Sequence, residues 1–236
     1  MHKKIGILGG LSPESTVAYY EHITRGYVRA HGDFGYPEIL IYSVNFQQYV
    51  DWQHQNRWHE AADAMAASLN ALHRAGADFG LISTNTMHIV FDEVQAAVDM
   101  PLISIVETTA RAIERAGVRK VGLLGTVFTM REAFFREGLQ RTGVEALVPA
   151  EADQLRLSDI IYQELCRGEI REESRQVFQM VIADLRRRGA EGVVLGCTEI
   201  PLLIQSKDCD LPLFDTTVLH AQRALEYATE AVPVAG

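Results

Sequence analysis

"GVVLGCTEI", residues 192–200, and "FGLISTNTM", residues 79–87, decide how this chain is read. Each is a short apolar run that ends in small polar residues: Cys197-Thr198-Glu199 in one, Ser83-Thr84-Asn85 in the other. A run of this length, bounded by turn formers and lacking polar alternation, reads as a parallel strand covered on both faces. The two stretches look like copies of one element, with a thiol in one and a hydroxyl in the other.

The flanking sequence repeats in the same order. Lys3-Lys4-Ile5-Gly6-Ile7-Leu8-Gly9-Gly10 returns as Arg119-Lys120-Val121-Gly122-Leu123-Leu124-Gly125-Thr126, 116 positions on. "RAGAD" at 74–78 returns as "RRGAE" at 187–191, and Asp99-Met100-Pro101-Leu102-Ile103 returns as Asp210-Leu211-Pro212-Leu213-Phe214, at offsets of 113 and 111. Three ordered matches at nearly one spacing indicate a duplicated unit. Helical patterns lie between the strands at 13–30, 57–75, 106–116, 130–142, 153–167 and 171–188, with Gly76, Gly117, Gly143, Gly168 and Gly189 as stops. Strands alternating with helices predict an α/β protein of two similar lobes related by a pseudo-twofold axis, each a parallel sheet flanked by helices. The expected first lobe is 1–104 plus a last helix at about 216–236, and the second is 105–215. In such sheets ligands bind beyond the carboxyl ends of the strands, where Ser83 and Cys197 stand.

Composition narrows the function. The chain has 236 residues, 47% apolar and 22% charged, with a net charge of -9. No Lys/Arg-rich run suits nucleic acid or an anionic membrane, so a small-molecule ligand is expected. Neither a signal peptide nor a membrane span is read in the sequence, and a cytoplasmic protein is expected. The three cysteines, Cys166, Cys197 and Cys209, have neither CxxC spacing nor an even framework, which argues against a disulfide scaffold or a structural zinc site.

Polar residues cluster at the predicted strand ends. In Gly9-Gly10-Leu11-Ser12-Pro13-Glu14, Ser12 reads as an N-cap with Pro13 in the first helical position, leaving backbone N–H groups for a carboxylate. Ordinary capping accounts for the same residues, and the glycines match neither GxGxxG nor a P-loop. Thr84, Asn85, Thr86, Thr126, Thr129, Thr198 and Glu199 follow strands and offer hydrogen bonds to a small carboxylate; they also suit caps and turns. Cys197 is either a buried small hydrophobe or a reactive thiol. Its place at a strand end beside Thr198 leads us to expect ionisation below the ordinary thiol pKa of about 8.5. His88 and His220 read as structural. "NFQQYVDWQHQNRWHE", residues 45–60, is a cleft wall or a polar helix start.

Together, "IGILGGLSPEST", "TNTMH", "LLGTVFTM", "GCTEI" and "DTTVLHA" resemble the aspartate/glutamate racemase family, whose superfamily includes hydantoin racemases, maleate isomerases and arylmalonate decarboxylases. The resemblance spans almost the whole chain. It implies two α/β lobes with the active site between them, a homodimer, and racemisation without pyridoxal phosphate or metal. One cysteine removes the α-proton and a second delivers a proton to the other face. By matching motifs Cys197 is the second cysteine, and Ser83 stands where the first belongs. Gln53 matches a substrate-contacting position.

Two further departures bear on the substrate. Asn45 replaces an Asp common in related "SVDF" stretches, and Cys166 stands where many relatives carry a lysine. The expected substrate is aspartate, glutamate or a related amino acid, contacted by Ser12, Asn45, Gln53, Thr84, Asn85, Thr126, Thr198 and Glu199. Ser83 is compatible with an engineered replacement, a natural variant with altered activity, or one-thiol chemistry. A single-thiol isomerase or decarboxylase of small dicarboxylates, and a carboxylate-binding protein without turnover, remain as alternatives.

Overall fold

The computed structural model describes residues 2–230. In chain order the elements are β1 (Ile5–Gly9), α1 (Pro13–His31), β2 (Ile39–Ser43), α2 (Phe46–His54), α3 (Trp58–Arg74), β3 (Phe79–Ile82), α4 (Phe91–Ala96), β4 (Leu102–Ile103), α5 (Ile105–Arg115) and β5 (Lys120–Gly125). They continue with α6 (Val127–Arg131), α7 (Ala133–Gln140), β6 (Glu145–Leu147), α8 (Glu151–Gln163), α9 (Glu172–Arg187), β7 (Gly192–Gly196), α10 (Ile200–Leu203), β8 (Leu213–Asp215) and α11 (Thr216–Thr229). The strands form two four-stranded parallel sheets, ordered β2-β1-β3-β4 and β6-β5-β7-β8. Each sequence match becomes a pair of strands at the same place in its sheet: β1 with β5, β3 with β7, β4 with β8.

The chain divides into two compact units. One comprises residues 2–83, 90–104 and 220–230; the other comprises 84–89 and 105–219. The short piece 84–89 thus belongs with the second unit although first-unit chain flanks it, and the division near the end falls within α11. Of the last helix expected to 236, the part beyond 230 lies outside the described residues.

The first unit is held by Ile5, Ile7, Phe79 and Leu81 packed against Tyr19 and Ile23 of α1 and Ala221, Ala224 and Ala228 of α11. Burial of one such large apolar side chain stabilises by about 1.5–3 kcal/mol. Both central strands are covered on both faces, which is why they read as unbroken apolar runs. In the second unit, Val121, Leu123 and Val194 pack toward α5 and α7, while Leu124, Val193 and Leu195 pack with α8 and α9.

Most helices follow the expected spans, and the five glycines read as stops all take positive φ. The segment 130–142 differs. It is two helices, α6 and α7, because Glu132 adopts extended backbone (φ -68°, ψ 153°) between them. The expected helix 153–167 likewise ends at Gln163 and closes with a 3-10 turn, Leu165–Arg167, before Gly168. No described helix is long and apolar enough to cross a membrane.

Candidate active site

In the first unit, β1 turns into α1 through Gly10, whose φ is 82°. A Cβ there would lie 2.6 Å from the Val44 backbone, so the turn accepts no side chain. Ser12 caps α1, its Oγ accepting from Ser15 N–H at 3.3 Å, and the Thr16 hydroxyl accepts the Gly10 N–H at 2.8 Å while donating to the Ser12 carbonyl at 3.0 Å. Two of the N–H groups thought open to a ligand are therefore occupied by the turn itself.

Ser83, at the end of β3, is fully buried. Its hydroxyl donates to the Leu8 carbonyl at 3.0 Å, and the Ser15 hydroxyl donates to the Ser83 carbonyl at 3.0 Å. Asn45 is exposed and caps α2, with Oδ1 accepting from Gln47 N–H at 3.2 Å; Gln53, near the end of α2, is buried. Thus Ser12, Ser83 and Gln53 are withdrawn from bulk solvent, whereas Asn45 performs a local capping task.

In the second unit, β5 and β7 end side by side at Gly125 and Gly196. A Cβ on Gly125 would stand 2.7 Å from the Gly196 carbonyl, and one on Gly196 would stand 2.7 Å from the Leu124 carbonyl. This close approach brings the residues after each strand into one cluster. After β7, Cys197 donates its S–H to Glu199 Oε2 at 2.9 Å, and the Thr198 hydroxyl donates to the same oxygen at 2.8 Å. After β5, Thr126 caps α6 by accepting from Thr129 N–H at 3.3 Å, and its hydroxyl meets that of Thr86 at 3.0 Å. Thr84 accepts Nδ1–H of His88 on its carbonyl at 2.8 Å, while His88 Nε2 accepts from Ile105 N–H at 3.1 Å.

Asn85 is buried. Its amide nitrogen donates to Thr216 Oγ1 at 3.0 Å, and Thr216 donates onward to the Leu195 carbonyl at 2.9 Å, two residues before Cys197. Because Thr216 spends its hydrogen on Leu195, it must accept from Asn85, which fixes the orientation of the amide. The Asn85 Oδ1 is left buried with no hydrogen-bond partner.

The electrostatics of Cys197 overturn the expectation of an acidified thiol. Burial pushes the thiol well above its ordinary pKa; the Glu199 carboxylate adds to the rise, and Cys166 contributes further. A helix N-terminus offers too little compensation, since the following helix, α10, is only four residues long. At neutral pH Cys197 is therefore a neutral thiol that donates to Glu199. Tyr162, on α8, lies within electrostatic reach of Cys197, Cys166 and Glu199, and its phenol is raised by burial and by those neighbours. Sequence reading missed Tyr162. The sequence carries no signal for it, because its nearness to Cys197 is set through space. Cys209 packs at the margin of the second core, as does Cys166, and no group of three or more His, Cys, Asp or Glu that could hold a metal occurs among the described residues.

The family model for Asp/Glu/Hydantoin racemases matches residues 8–224. The chain belongs to this family. Among solved structures, this racemase-family chain is similar to a candidate Asp/Glu racemase from Yersinia pestis, at 39% identity and TM-score 0.90, covering 97% of this chain and 100% of that one. It is also similar to an aspartate racemase homologue from Pyrococcus horikoshii OT3, at 38% identity and TM-score 0.84, with the same coverages. A broad specificity amino-acid racemase of Bacillus subtilis is 24% identical over 92% of this chain and 95% of its own length.

Proposed function

We propose that the chain is an amino-acid racemase acting without pyridoxal phosphate or metal, with aspartate, glutamate or a related amino acid as substrate. Cys197 is the proton-transfer group for one face of the α-carbon, and Ser83 occupies the position of the group for the other. The observation that carries this reading is the Cys197 S–H held by Glu199 at 2.9 Å, at the end of a central strand. A neutral thiol can deliver a proton to an α-carbanion, forming the C–H bond and leaving a thiolate. In the reverse direction the thiolate takes the α-proton.

Substrate binding brings a positive charge to the site. The Asn85 Oδ1 accepts a hydrogen bond from the substrate ammonium, whose positive charge near Cys197 and Glu199 favours the thiolate. The hydroxyls of Thr126 and Thr198, with Ser12, Gln53, Thr84 and Asn45, bind carboxylate and side-chain groups. A cytoplasmic homodimer, binding neither nucleic acid nor membrane, completes the proposal.

A second reading is favoured by Ser83. Its hydroxyl donates to a carbonyl, which is too weak a base to take its proton, and an unactivated alcohol is a poor base at neutral pH. This favours a single-thiol isomerase or decarboxylase of small dicarboxylates. Incubation in D2O with L- and D-amino acids, followed by α-proton NMR and chiral chromatography, separates the readings. Loss of the α-proton signal with the enantiomer appearing supports racemisation, whereas exchange without inversion supports one-thiol chemistry. Binding with neither leaves a carboxylate-binding protein and refutes both.

A further inference from the structure

We infer that Arg175, on α9, is a positioning residue: by fixing the far end of the short turn that begins with Cys197 and Glu199, it holds the carboxylate against the thiol. This rests on the proton-transfer role proposed for Cys197. The turn is compact but has little stability of its own. Ile200 N–H donates to the Cys197 carbonyl at 3.2 Å, Leu202 N–H to the Glu199 carbonyl at 3.1 Å, and Ile204 N–H to the Ile200 carbonyl at 2.9 Å. α10 is thus a single turn of four residues, and its second residue, Pro201, brings no N–H. Isolated helices shorter than about 12 residues are marginal in water, so the surroundings must hold this one.

Two kinds of contact do so. Ile200, Leu203 and Ile204 are buried in the second unit's core, which also contains Leu165, Val177 and Phe178. Apolar burial is non-directional, so it sets how deep the turn sits rather than where its polar groups point. The directional contact comes from Arg175. Its Nη1 donates to the carbonyl of Leu203, the last residue of α10, and to Asp208 Oδ2 at 3.1 Å. A cation suits the C-terminal end of a helix, where carbonyls lack partners. Asp208 is itself locked in the 3-10 turn Ser206–Asp208: its Oδ2 accepts Gln205 N–H at 3.0 Å, and Gln179 of α9 donates to its carbonyl at 3.4 Å. The Arg175 and Asp208 side chains are 18% and 10% exposed, so water and salt screen the pair less than a surface pair.

α9 is a firm base for this clamp, because Val177, Phe178, Val181, Ile182 and Leu185 anchor it in the same core. Beside Arg175, the Ser174 hydroxyl donates to Glu164 Oε2 at 2.5 Å, at the end of α8. Glu164 comes two residues after Tyr162 and directly before the 3-10 turn that holds Cys166. Neighbouring side chains on α9 therefore tie down both segments that act on the thiol. Glu199 acts from the thiol's own turn, Cys166 from the 3-10 turn and Tyr162 from α8. If Arg175 lets go of Leu203, Glu199 is the group whose distance from the thiol changes first, because it belongs to the released turn.

Iodoacetamide labelling of Cys197, read by peptide mass spectrometry on variants shown to be folded by circular dichroism, tests the clamp without substrate. Arg175→Gln should quicken labelling about tenfold, because a displaced carboxylate no longer disfavours the thiolate. In a Glu199→Gln background the same substitution should change the rate by less than about twofold, since the residue it acts through is gone. Arg175→Lys should label near the parent rate, because one nitrogen, Nη1, makes both bonds and an ammonium can stand in its place. The parent rate in Arg175→Gln overturns the inference. So do equal gains in both backgrounds, which would mark simple opening of the core, and an Arg175→Lys rate equal to that of Arg175→Gln. Should Arg175→Gln fail to fold, Asp208→Asn decides: severalfold faster labelling supports the clamp and the parent rate overturns it. Where the parent exchanges the α-proton, Arg175→Gln should lower kcat by about 10- to 100-fold with KM little changed, and a raised KM at the parent kcat overturns the positioning role. Absence of exchange in the parent would remove the racemase reading and leave the labelling outcomes as they stand.

Discussion

Cys197 donates its S–H to Glu199 across 2.9 Å within a single turn of chain, and the carboxylate is buried with the thiol. Glu199 raises the thiol pKa and accepts its hydrogen bond, and under the proposed mechanism it would take the thiol proton. Glu199→Gln should therefore have two opposite effects. Alkylation of Cys197 at fixed pH should quicken, because a negative neighbour is gone, while α-proton exchange should fall by about 10²- to 10⁴-fold, the usual contribution of a positioned acid–base group. Exchange at the parent rate in that variant would remove Glu199 from the proton path.

In the parent, Cys197 should be the last thiol to react. Cys166 and Cys209 are half-buried, whereas Cys197 is buried and held protonated. Iodoacetamide at pH 7.5 with peptide mass spectrometry reads the order directly. Early labelling of Cys197 would contradict the raised pKa.

Ser83→Cys should raise racemisation by a factor of about 10² to 10⁴, because a thiol replaces an alcohol in almost the same place and is the stronger acid by several pKa units. Chiral chromatography of aspartate and glutamate incubations measures it. A folded variant that binds these amino acids but inverts neither faster than the parent sinks the racemase reading.

His220 gives the first unit a pH-dependent weakness. The Tyr19 hydroxyl donates to Nδ1 at 2.7 Å and Nε2–H donates to the Ile103 carbonyl at 2.8 Å, so both ring nitrogens are committed in the neutral form. Burial lowers the pKa to about 4. The folded pKa lies below the unfolded one, so stability is fully present above about pH 6.5 and is lost as pH falls toward 4, by about 3 kcal/mol. Urea midpoints across that window should decline in the parent and flatten in His220→Gln, after allowance for the variant's lower baseline. Equal slopes would refute the assignment.

Gly196→Ala should destabilise by about 1–3 kcal/mol, since the added methyl meets the Leu124 carbonyl at 2.7 Å and two packed strands must part. Gly189→Ala provides a contrast in mechanism: the nearest atom is 3.6 Å away, so any loss there comes from its φ of 98°. Urea denaturation of both variants measures the pair, and an unperturbed Gly196→Ala would show that the strand ends can separate freely.

The duplicated fold was legible because buried parallel strands leave an unambiguous mark, an apolar run ending in small polar residues, and because the duplication repeats that mark in order. Cys197 and Glu199 were visible for the same reason. What the sequence concealed depends on distances through space. Nothing in "GCTEI" says that Glu199 folds back onto the thiol and raises its pKa. Nothing in the helix containing Tyr162 says that its phenol comes within electrostatic reach of Cys197 and Glu199. The break at Glu132 was hidden because its neighbours keep a helical apolar spacing across it.

The cores also impose an order of assembly. Ala221, Ala224 and Ala228, from the last described helix, fill space between Ile5, Ile7 and Tyr19 near the chain's start. During synthesis the second unit has all its residues once position 219 has emerged, while the first unit, begun earlier, waits for its closing helix. The half that is translated first is therefore finished last, and the part of its apolar sheet face that α11 covers stays open to chaperones, or to another nascent chain, until that helix is made.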